Sequence, residues 1–120
     1  RDKAMVQLNK LRAYAGKAVA EKDIILFVVD DKHTYTNINQ FASNTTRRAY
    51  YDIVRQNNDL RSIRNKIETL RVQYHNATES GRTSIGARIA NLEKEELDTR
   101  AAIKRAEQDL RRKESCLLKN

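Results

Sequence analysis

The sequence predicts a mostly α-helical protein, an antiparallel coiled-coil helical hairpin preceded by a short N-terminal helix and a small β-hairpin. Three observations carry this expectation. Proline is absent and glycine occurs only three times in 120 residues, so the usual helix breakers are nearly missing. Apolar residues recur at alternating steps of three and four over two long stretches, the period of a coiled-coil seam. Between those stretches lies Thr78-Glu-Ser-Gly-Arg-Thr-Ser84, whose serine and glycine content suits a reversal of the chain. No Gly/Pro/Ser-rich stretch divides the chain, so residues 1–120 are expected to form a single domain.

Taken in order, Ala4, Leu8, Leu11, Ala15 and Ala18 fall at steps of four, three, four and three. This spacing predicts an amphipathic helix over 1–22. Residues 23–37 then combine a β-branched run, Asp23-Ile-Ile-Leu-Phe-Val-Val-Asp30, with the polar/aromatic alternation of His33-Thr-Tyr-Thr-Asn37. They read as a β-hairpin closing at Asp30-Asp31-Lys32, with a buried helical segment as the alternative. A lone two-stranded ribbon is marginal in water, so it must rest on the helices or pair with another copy.

The coiled-coil arms are expected over 45–77 and 84–117. In the first, Ile53, Gln56, Leu60, Ile63, Ile67, Leu70, Tyr74 and Ala77 form the seam, with Gln56 as its polar lapse. In the second, Ile85, Ile89, Leu92, Glu96, Thr99, Ile103, Ala106, Leu110, Lys113 and Leu117 follow the same period, interrupted by Glu96 and Thr99. Folding back near Ser80 pairs Leu70 with Ile89 and Ile67 with Leu92, and places Arg64 opposite Glu93 and Lys66 opposite Glu95. Leu97 and Ala101 lie off the stripe and are left for another surface.

Charged residues make up 33% of the chain, but acids and bases are interleaved with apolar positions rather than massed in blocks, which favours order. The net charge of +8 biases the protein toward acidic partners and polyanions. The longest apolar run, Ile24 to Val29, has six residues, far short of the roughly 18 that a membrane span needs. The chain starts at Arg1, which reads as a processed form or as a start inside a longer chain. Cys116 is the single cysteine; it has no internal disulfide partner and indicates no compartment.

No catalytic, cofactor or metal pattern emerges. His33 and His75 are far apart, Cys116 has no neighbouring histidine, and there is no glycine-rich phosphate loop. The expectation is therefore a non-enzymatic protein without cofactor. The sharpest feature is basic: Arg47, Arg48, Arg55, Arg61, Arg64 and Arg71 lie on one flank of the first arm, and Lys104, Arg105, Arg111 and Arg112 near the base of the second. Guanidinium forks at such spacing suit phosphate oxygens, whereas interspersed Glu68, Glu93, Glu107, Asp109 and Glu114 suit an ordinary solvated surface. Asn44-Thr-Thr46 and Asn76-Ala-Thr78 match the glycosylation acceptor pattern.

The stretch Asp23-Ile-Ile-Leu-Phe-Val-Val-Asp30 after a helix, with basic charge and helical arms, resembles the periplasmic Skp/OmpH-type holdase chaperones. In that family the arms precede the comparable strand, whereas here they follow it, so the likeness is one of architecture. It implies a basic cage around acidic or unfolded clients. The residues themselves lead first to a scaffold that offers its hairpin to a protein partner or to its own copies, and second to a binder of the nucleic-acid backbone.

Overall fold

A computed structural model describes residues 24–119; the helix expected over 1–22 lies outside the described residues. The order of elements is β1 (Ile24–Val28), β2 (Thr34–Asn37), a 3-10 turn (Ile38–Gln40), α1 (Asn44–Asn76) and α2 (Glu79–Leu118). Two long helices pack against each other as a hairpin, and the chain also forms a small antiparallel sheet, as the sequence predicts. The chain divides into two compact units: one runs through Arg47 and resumes at Arg111, and the other is Arg48–Leu110.

In the first unit the strand reading prevails over the helical alternative. Phe27 pairs with Tyr35 and Val28 with Thr34, with an irregularity between Ile24 and Phe27. Asp30 makes the reversal: its Oδ1 accepts from the backbone N–H of Lys32 and of His33, both at 2.8 Å. A short polar side chain thereby replaces backbone partners in the turn. The His33 ring, 2.9 Å from the same oxygen, is the chief reason the Asp30 carboxyl sits below the ordinary carboxylate range. Alternation then sorts β1 and the residue that follows it: Ile25, Phe27 and Val29 are buried, while Leu26 and Val28 face outward.

Phe41 is only 2% exposed and centres this unit's core. Its ring meets Tyr35 edge-on at 4.9 Å between centroids and Phe27 at 5.6 Å, separations typical of favourable aromatic pairs. The 3-10 turn feeds Phe41 inward and is capped reciprocally by Asn37 and Gln40.

Helix α1 starts where its caps dictate. Ser43 Oγ accepts from Thr46 N–H at 3.1 Å, and Thr46 Oγ1 returns a bond to Ser43 O at 3.0 Å. At the other end the connection is shorter than expected. Helix α2 begins at Glu79 rather than at 84, so only Ala77 and Thr78 link the helices, and Gly81 is helical. Thr78 acts as the N-cap, accepting from Gly81 N–H at 3.4 Å, with Glu79 in the positive first turn. The Arg82 side chain donates to the carbonyls of Tyr74 (3.1 Å) and His75 (3.3 Å), which have no further helical turn to serve.

In the second unit Ile53, Leu60, Ile63, Ile67 and Leu70 are buried as the heptad predicts. The facing residues Ile85, Ile89 and Leu92 are half-buried, and Ile103 and Leu110 are buried. Tyr74, expected within the seam, is 39% exposed and lies beneath the Arg82 guanidinium.

The expected charge pairs shift. Arg64 meets Glu96 at 2.8 Å instead of Glu93, Glu93 is taken by Arg71 at 3.5 Å, and Lys66 forms no ion pair with Glu95. Glu96, which interrupts the apolar stripe, is half-buried and draws the nearest guanidinium. Pairs exposed to this extent are worth about 0.2–1 kcal/mol each, so they tune the register without creating the arm.

The seam also changes course beyond Leu110. Lys113 and Leu117, expected to continue it, are exposed, and Glu114 is buried in their place. A step of four replaces the step of three because from Arg111 onward α2 packs within the first unit.

Gln56 Oε1 is buried without a hydrogen-bond partner. Gln56→Leu should therefore raise unfolding stability by about 1–2 kcal/mol, since it removes an unsatisfied acceptor and adds apolar burial. A urea midpoint that falls on this substitution would show that the amide is well satisfied.

Candidate functional surfaces

The arginines that share a flank in sequence divide into separate tasks in the structure. Arg47 is a local clamp: its Nη1 donates to Phe41 O at 2.9 Å and its Nε to Asn44 Oδ1 at 3.2 Å. Arg111 is another, donating from Nε to Val28 O at 2.8 Å with its guanidinium 5.0 Å from the centre of the Phe27 ring. Both belong to the packing of the first unit, where guanidinium planes suit stacking and carbonyl recognition together.

In the second unit, Arg64 and Arg71 are matched by Glu96, Glu93 and Glu68. Arg55 stands 3.7 Å from Asp52 with both side chains well solvated. Arg48, Arg61, Lys104, Arg105 and Arg112 are exposed. The flank that reads as continuous is thus partly neutralised, because the return helix brings carboxylates to it that one helix's periodicity does not reveal.

A second cationic surface on the same hairpin shares Arg61 with that flank and extends away from it. A groove of about 630 Å³ runs along α1 and α2, lined by Arg61, Lys66 and Arg88, by the amides of Asn58, Asn65 and Gln73, and by the hydroxyls of Ser62 and Thr69. Leu70 and Leu92 lie at its floor, and no carboxylate lines it. Two residues along a helix turn about 200°, so Lys66 and Gln73 face away from Arg64 and Arg71. Of the groove's cations the expected site contained only Arg61. Lys66 and Arg88 flank the seam on both arms, a signal that reading each helix alone does not supply.

Among the described residues one ionisable group is fully enclosed. Glu114 is 0% exposed; its Oε2 accepts from Tyr35 Oη at 2.5 Å and from Ala42 N–H at 2.9 Å. Burial pushes the Tyr35 phenol upward, and its bond to Glu114 adds to the shift. The arrangement ties the end of α2 to β2 and to the start of the segment before α1. Both oxygens are directed to donors of the fold itself, so this cluster is structural.

Among the described residues no group of three or more His, Cys, Asp or Glu is placed to hold a metal, and no helix is long and apolar enough to cross a membrane. His33 closes a turn with Asp30, and Cys116 is an exposed free thiol. Comparison with protein-family models, with curated proteins and with solved structures found no match.

Proposed function

We propose that the chain is a non-enzymatic interaction module whose helices, acting as a coiled-coil arm, present their outer face to a protein partner or to a second copy. The supporting observation is Leu97, 61% exposed on α2 while the opposite face of that helix carries the half-buried stripe. Ala90 and Ala101, also exposed, share that outer face one heptad before and one turn after Leu97. A leucine bordered by alanines lets a further helix approach closely, the arrangement used in helical assemblies.

Size-exclusion chromatography with light scattering tests the reading on the isolated chain. Self-association should give a mass above the 13.9 kDa monomer, and Leu97→Glu should restore the monomer without loss of helicity. A monomer at every concentration, with Leu97→Glu unchanged also in recovery of bound protein from a matched extract, would sink the proposal.

A further inference from the structure

We propose that the groove lined by Arg61, Lys66 and Arg88 is a binding site for the phosphate backbone of a nucleic-acid duplex, independent of the apolar outer face. Four features of the groove converge on this ligand.

The first is uncompensated charge. Among the described residues no carboxylate lies within 4.0 Å of any of the three cations, although the flank bearing Arg64 and Arg71 carries their ion pairs. Acids are plentiful on both helices, so their placement leaves the Arg64–Arg71 flank partly neutralised and the groove cationic. Unpaired cations that converge on a shared concavity concentrate a positive potential there and attract an anion.

The second is the rest of the lining. Amide and hydroxyl side chains, among them Ser62, Asn65 and Gln73, stand between the cations. These groups donate to phosphate and sugar oxygens, and contacts of this kind hold a backbone in register without reading bases.

The third is what the lining lacks. No aromatic ring is among the groove residues, so it offers no platform for unstacked bases, on which single-strand binding depends. A duplex, whose bases stay stacked and whose phosphates face outward, fits better.

The fourth is length. From Arg61 to Gln73 the helix rises about 18 Å at 1.5 Å per residue. Phosphates of one strand recur about every 3.4 Å along the duplex axis, so the groove spans about five of them. Arg88 comes from the other helix, so the site exists only when the hairpin is closed.

Fluorescence anisotropy with a labelled duplex of arbitrary sequence, titrated at about 50 and 200 mM salt, tests the proposal. Binding should be salt-dependent. The triple variant Arg61→Gln, Lys66→Gln, Arg88→Gln should weaken it at least tenfold at low salt and reduce the log–log salt slope by about 2–3, one release step per lost phosphate contact. A control variant, Arg48→Gln with Arg55→Gln, removes exposed charge elsewhere on α1 and should cost little by comparison. All five side chains are exposed, so a matching circular-dichroism melt keeps the comparison among folded proteins.

Absence of low-salt binding overturns the proposal. Equal losses in both variants overturn it too, because the attraction would then come from net charge alone. Displacement by poly-glutamate at the same charge concentration would instead identify an acidic protein as the ligand.

Discussion

Glu114→Ala is expected to lower the unfolding free energy by about 2–5 kcal/mol. Glu114 is wholly enclosed and accepts from Tyr35 Oη and from the backbone N–H of Ala42. Removing the carboxylate strands both donors, and each unsatisfied buried polar group costs about 1–3 kcal/mol. The lost side-chain volume adds a cavity in which neither donor finds water easily. Tyr35→Phe should cost less, about 1.5–3 kcal/mol, because Ala42 N–H keeps its acceptor while one bond to a charged group is lost. Urea denaturation followed by far-ultraviolet circular dichroism measures both. A change below about 0.5 kcal/mol for Glu114→Ala, the range of ordinary surface substitutions, would mean that the enclosure is not maintained in solution.

Phe41→Ala should destabilise by about 3–5 kcal/mol, the usual cost of deleting a large buried aromatic. Phe41 packs against both Phe27 and Tyr35. Its truncation therefore leaves two rings without their edge and face contacts as well as opening a void. Its backbone is engaged too, since its N–H donates to Ile38 O at 3.3 Å and its carbonyl accepts from Arg47. These backbone bonds survive the substitution, so the loss measures the ring. Thermal melts should place Phe41→Ala well below a Leu97→Ala control, whose side chain is 61% exposed; parity between the two would argue against the aromatic core.

The arms were legible because helical periodicity is a local property. Leu60, Ile63, Ile67 and Leu70 are buried where steps of three and four put them, and their spacing needs no knowledge of the partner helix. The β-branched density at Ile24–Val28 and the polar close at Asp30 suggested strands but left a buried helix open, and only the pairing of the two segments decided it. The reversal was placed too late, because Thr78 caps α2 and lets Gly81 continue as helix. At three residues from the cap, glycine costs about 1 kcal/mol in propensity, which neighbouring helix formation absorbs.

Charge was legible as an inventory and illegible as an arrangement. Nothing in the spacing of Glu93 and Glu96 says that they meet Arg71 and Arg64, since flexible side chains choose partners only after two helices are docked. For the same reason the groove cations Lys66 and Arg88, on different helices, share no local signature.

Composition and periodicity by themselves determined two long helices and the apolar stripe that joins the arms, because each follows from backbone preference and the spacing of neighbours along one element, whereas the choice between strand and helix at Ile24–Val28 came from pairing with Thr34–Asn37. Tertiary structure alone decided that Glu114 is enclosed, that Arg47 and Arg111 are clamps, and which cations are left unneutralised. The enclosure of Glu114 and the Arg111 clamp depend on atoms brought together across 72 and more residues, the Arg47 clamp on a carbonyl six residues away, and desolvation and pairing energies are set by that three-dimensional neighbourhood.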